Sequence, residues 1–147
     1  MKENDIDKTA IELAELLPLL QKKLIKPFEQ LSKSKLSPMK FYVLFILEDK
    51  DNLSMTELSN ELSISKQQMT PVVDKLIENG FVIRQNSEMD RRMIKISLTS
   101  SGKKFIEELK MGIFDMLKNK LYGLNVDDLN NLYKAFNEIR KIVNKLP

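Results

Sequence analysis

Three of the chain's four arginines, Arg84, Arg91 and Arg92, fall within nine positions of a sequence that otherwise uses lysine for its positive charge. A guanidinium is a planar fork of donors that suits phosphates and base edges and is favoured in narrow, A·T-rich minor grooves. Upstream lies a polar run, Ser65, Lys66, Gln67, Gln68 and Thr70. Glutamine can pair with adenine through its donor and acceptor together, and serine and threonine hydroxyls can bond phosphates. The net charge of the whole chain is +3. From Lys66 to Lys104, eight cations face four carboxylates, so all of the net positive charge sits in this segment. The same residues also fit a solvated hairpin whose charges serve only solubility.

The absent residues narrow the chemistry further. The 147 residues include no histidine, cysteine or tryptophan. This removes Cys/His zinc sites, thiol nucleophiles, Ser-His-Asp catalysis and cysteine redox sensing. Carboxylate sites for hard cations and lysine chemistry stay formally open, but neither an enzyme nor a bound metal or cofactor is expected. Hydrophobic residues make up 42% of the chain, enough for one core, without the run of ~20 apolar residues that spans a bilayer. The opening Met1-Lys2-Glu3-Asn4-Asp5-Ile6-Asp7 mixes charges where a secretory signal would be basic and then apolar, so a cytoplasmic location is expected.

Helices must position these groups. Ile6, Ala10, Leu13, Leu17, Leu20, Leu24, Phe28 and Leu31 recur at spacings of three and four, a helical stripe. A helix over them is roughly 40 Å long, too long to be covered by so small a domain, so part of it should pack on another subunit. Pro18 and Pro27 should bend or break it. Ser37-Pro38 opens a second helix through Leu47. Ser54-Met55-Thr56-Glu57 is a capping box opening a third, and Ser65-Lys66-Gln67-Gln68 a second box opening a fourth, which Asn79-Gly80 ends. Pro71 sits six residues into that fourth helix and predicts a kink or an irregular first turn. Phe81-Val82-Ile83 and the alternating Ile94, Ile96 and Leu98 then read as a hairpin with a long tip. Thr99-Ser100-Ser101 caps a fifth helix through Leu121, the turn Tyr122-Gly123-Leu124-Asn125 ends it, and a last helix carries apolar residues from Leu129 to Leu146.

Two short helices in a tight turn followed by a hairpin make a winged helix-turn-helix. With Leu36-Ser37-Pro38, Asn79-Gly80-Phe81-Val82-Ile83-Arg84, Asp90-Arg91-Arg92 and Ile96-Ser97-Leu98-Thr99-Ser100-Ser101-Gly102 in this order, almost the whole chain resembles the MarR family of bacterial transcription regulators. The resemblance implies a mainly α fold with a small β-hairpin wing: one domain over 1–147, in which 37–99 is the DNA-binding lobe, with the helix-turn-helix over 54–80 and the wing over 81–98. Helices in 1–34 and 100–147 would form a homodimer. It also implies double-stranded DNA, a pseudo-palindromic operator, as partner, with the fourth helix in the major groove. Arg92 matches the wing arginine of the minor groove, Asp90 the acidic residue that helps hold it, and Arg84 a supporting or phosphate-binding base. Most members with this organisation are repressors. Some bind small aromatic effectors, and the matching stretch here holds Phe28, Phe41, Tyr42, Phe45 and Phe105, residues that equally fit a core. An alternative from another class is a helical dimer whose winged helix docks on a protein; such a wing would be expected to expose apolar residues.

Overall fold

The structure, a computed structural model, describes residues 1–31 and 36–147, apart from the side chains of Phe28, Glu29 and Leu31. The element order is α1 (Lys2–Leu20), a π-helical turn (Gln21–Ile25), α2 (Lys26–Leu31), α3 (Pro38–Asp49), β1 (Leu53–Ser54), α4 (Met55–Glu61), α5 (Lys66–Glu78), β2 (Val82–Asn86), β3 (Ile94–Leu98), α6 (Ser100–Leu121) and α7 (Val126–Val143). The chain divides into two compact units, residues 1–112 and 113–147.

In the first unit, the core is built where apolar faces of α3, α4, α5 and the sheet meet. Phe41, Val43, Leu44 and Leu47 of α3, Leu58 of α4, Met69, Val73 and Leu76 of α5, Val82 and Ile96 of the wing, and Ile106 of α6 are all buried. The sheet has the order β1-β3-β2 and is antiparallel throughout. Leu53 pairs with Ile96, and Val82, Arg84 and Asn86 face Leu98, Ile96 and Ile94. The expected hairpin is therefore the larger part of a three-stranded sheet. Its third strand, only two residues long, is too short to show a period of two.

Pro18 lies inside α1 without ending it. Near Pro27 the helix widens instead of breaking: the Lys26 N–H donates to the Gln21 carbonyl, five residues back. A proline has no N–H for the carbonyl four residues before it, and a π turn rearranges the ladder around that gap. No α1 residue is buried, and Ile6, Leu13 and Leu17 are more than half exposed.

The second unit comprises the end of α6, a turn and α7. The Asn125 Oδ1 caps α7 by accepting from the Asp128 N–H at 2.8 Å. No α7 residue is buried, although Tyr133, Phe136, Ile139, Ile142 and Val143 form an apolar face. Phe114, Leu117, Leu121, Tyr122, Leu124 and Leu129 line an apolar groove of about 560 Å³ within this unit. No helix among the described residues is long and apolar enough to cross a membrane.

Candidate nucleic-acid interface

Both helices of the helix-turn-helix begin with complete capping boxes. Ser54 Oγ accepts from the Glu57 N–H at 3.2 Å while the Glu57 carboxylate accepts from the Ser54 N–H at 2.6 Å. The same exchange links Ser65 and Gln68, at 3.2 and 3.1 Å. The turn between the helices needs one left-handed residue, Ser63, at φ 52°. Helix α5 then runs unbroken through Pro71 to Glu78, and its first turn is regularly capped where an irregular one was one of the expectations. A cap satisfies the first orphan N–H groups from outside, so the turn holds although the proline withholds one bond further along.

The polar face of α5 sorts into committed and free side chains. Ser65 and Gln68 are engaged in the cap through oxygen atoms, although the Gln68 amide nitrogen keeps its donors. The Thr70 hydroxyl donates to the Lys66 carbonyl at 2.8 Å. Lys66, Gln67 and Pro71 are exposed, and the Gln67 amide makes no hydrogen bond among the described residues.

Two ion pairs fix the wing to the helix-turn-helix. The Arg84 Nη2 donates to the Asp74 carboxylate of α5 at 2.6 Å. Lys95, largely buried on β3, reaches the Glu57 carboxylate at 2.9 Å. That ammonium, with the Ser54 N–H, lowers the Glu57 pKa from its ordinary 4.5 to about 2. On the same sheet face the Ser97 hydroxyl donates to Asn52 Oδ1 at 3.1 Å, and Gln85 Nε2 donates to Ser97 at 3.0 Å. At the root of the wing, the Thr99 hydroxyl donates to the Gly80 carbonyl at 2.6 Å and accepts the Gly102 N–H at 3.0 Å. Gly102 is required there, because a Cβ would overlap the Phe81 carbonyl oxygen. The glycine of the sequence pattern thus has a steric cause that its spacing alone does not reveal.

The tip shows what Asp90-Arg91-Arg92 does. The Asp90 carbonyl accepts from the Met93 N–H at 2.9 Å, and the Asp90 carboxylate accepts from the Arg92 N–H at 3.0 Å. Asp90 is thus the first residue of a β-turn whose two central positions are Arg91 and Arg92. The aspartate holds the backbone of Arg92 rather than its guanidinium. Both arginines are exposed, and neither forms an ion pair among the described residues. Met89, 99% exposed, and the partly exposed Met93 and Ile94 lie beside them.

The aromatic candidates differ in their surroundings. Phe41 is in the core, Phe105 stacks on Phe81 with ring centroids 4.4 Å apart, Tyr42 is exposed, and Phe45 faces the Lys110 ammonium at 6.0 Å. The side chain of Phe28 lies outside the described residues. No cluster of three or more Asp or Glu side chains able to hold a metal occurs among the described residues.

A capped helix-turn-helix with a braced, arginine-tipped sheet defines a winged-helix DNA-binding protein. The sequence model of the MarR family matches residues 36–94. The transcriptional repressor YetL of Bacillus subtilis strain 168 is 30% identical over 138 residues, spanning 92% of this chain and 83% of YetL. A MarR family protein from Bacillus stearothermophilus shares the fold with a TM-score of 0.80 at 24% identity, covering 95% of this chain and 98% of that one. Streptococcus pneumoniae FabT, solved in complex with DNA, gives 0.73 at 18% identity, covering 95% and 99%. The chain belongs to the MarR family and is a DNA-binding transcriptional regulator, not an enzyme.

Proposed function

We propose that the protein is a cytoplasmic, homodimeric repressor that binds a pseudo-palindromic, A·T-rich operator and leaves it when a small effector changes the spacing of the two α5 helices. The observation that carries this reading is the turn at Asp90, which presents the Arg91 and Arg92 guanidiniums without an ion pair among the described residues, on a wing tied to α5 through Arg84 and Asp74. Arg92 enters the minor groove and Arg91 contacts phosphate. Helix α5 lies in the major groove, with Lys66 and Gln67 toward the bases; Gln68 donates to a phosphate through its amide N–H, and the Ser65 and Thr70 hydroxyls do so by rotating away from Gln68 Oε1 and the Lys66 carbonyl. Arg84 and Asp90 support the wing. The half-sites lie about one helical turn, roughly 34–36 Å, apart. The unburied apolar faces of α1 and α7 supply the surface for a second copy. The repressor role follows that of YetL. For the effector, the side chains within reach of a small aromatic compound are those not consumed by the core, Tyr42 and Phe45 of α3.

Duplexes bound from a random pool, tested with wild type and Arg92→Ala, provide the test. Wild type should bind with an affinity that falls steeply with salt, as neutralising ~6–10 phosphates requires. Arg92→Ala should weaken binding markedly with an unchanged circular dichroism melt. Equal affinity in the mutant removes the wing from the interface. Met89, Met93 and Ile94 favour a second reading, docking of the wing on a protein. Failure to retain any duplex would select it.

A further inference from the structure

We infer that Gln67 and Pro71 together read one A·T pair in each half-site, Gln67 through the adenine and Pro71 through the methyl group of the paired thymine. This rests on the placement of α5 in the major groove proposed above and names what it recognises there.

Met69, Val73 and Leu76 are fully buried and define the inner side of α5. At about 100° per residue, Gln67 and Pro71 fall on the side facing away from them, and both are exposed. They are one turn apart, with Cβ atoms about 5–6 Å from each other, a separation suited to two groups on the major-groove edge of one base pair. Their neighbours are occupied: Ser65 and Gln68 in the cap, Thr70 on the Lys66 carbonyl, and Asp74 on Arg84. The centre of the exposed face is left to a free amide and a pyrrolidine ring.

These two groups match one pair. The Gln67 amide donates to adenine N7 and accepts from adenine N6–H, while the thymine methyl meets an apolar surface. Proline is the costliest residue for a helix interior, and an exposed ring regains less of that cost by packing than a buried one. Against a thymine methyl the same ring is a rigid apolar face with no side-chain freedom to lose.

The test uses the full chain and a duplex selected from random DNA. Each thymine is replaced singly by uracil, which removes only the methyl, and each adenine by purine, which removes only the N6 amino group. One pair per half-site should respond to both, weakening wild-type binding roughly fourfold for uracil and roughly tenfold for purine. Pro71→Ala should lose the uracil response and keep the purine response; Gln67→Ala should do the reverse. Alanine is the better helix former, so Pro71→Ala should fold, as circular dichroism will show. The inference is overturned if no pair responds to both replacements, or if either variant responds as wild type does. A protein that selects no duplex at all overturns the DNA-binding proposal instead, and this one with it.

Discussion

Asp90 spends its carboxylate on a backbone N–H, and this separates two roles that a sequence motif runs together. If Asp90 acts by shaping the turn, Asp90→Asn should keep wild-type affinity for operator DNA, since an amide oxygen accepts the same bond, whereas Asp90→Ala should weaken binding several-fold. Equal loss in both variants, in a titration against a selected duplex, would return the residue to an ionic role. Glu57 offers a second residue-level test. Its folded pKa of about 2 lies below the ordinary 4.5, mainly through the hydrogen bond from Lys95 and then that from Ser54. The stabilisation is therefore complete above about pH 4.5 and lost as the pH falls toward 2. Glu57→Gln keeps an acceptor for the cap but loses the ion pair, so its urea midpoint should lie below that of wild type at pH 6 and converge with it near pH 2. A constant gap would assign the pair no part in acid stability. Residue types and spacing alone disclosed the arginines and both caps. They could not show which atoms of Gln68 or Asp90 were already in use, because that depends on backbone geometry.

Among the elements, α5 is the one whose beginning matters most, since its first turn carries the polar face. Ser65→Ala removes the acceptor for the Gln68 N–H and should cost about 1 kcal/mol, seen as a lower thermal midpoint with little change in helix content. No change in midpoint would mean that the cap is made by solvent as readily as by serine. The helix boundaries were legible because caps, prolines and apolar periods agree. Two features escaped for physical reasons. β1 consists of Leu53 and Ser54 alone and overlaps the residues that cap α4. The π turn at Gln21–Ile25 preserves a helical stripe through Pro27, so the apolar pattern runs on where the hydrogen-bond ladder changes.

For the molecule as a whole, α7 carries an apolar face with no buried residue. A helix of this kind is stable in water when that face is covered. Ile139→Asp places a charge in its middle; if this face holds the proposed dimer, sedimentation should show a shift from dimer to monomer, together with loss of cooperative binding to a two-half-site duplex. A dimer that survives this substitution would move the interface elsewhere. The net charge of +3 concealed a segment of +4, which could be seen by reading charge along the chain; which of those cations remain unpaired required the fold. Gly102 gives this arrangement a further property. With no clearance between the first turn of α6 and the Phe81 carbonyl, and with Phe105 stacked on the Phe81 ring, the joint has no slack. Any side chain at position 102 would have to push the first turn of α6 away from the root of the wing, so the two keep this spacing only with glycine there.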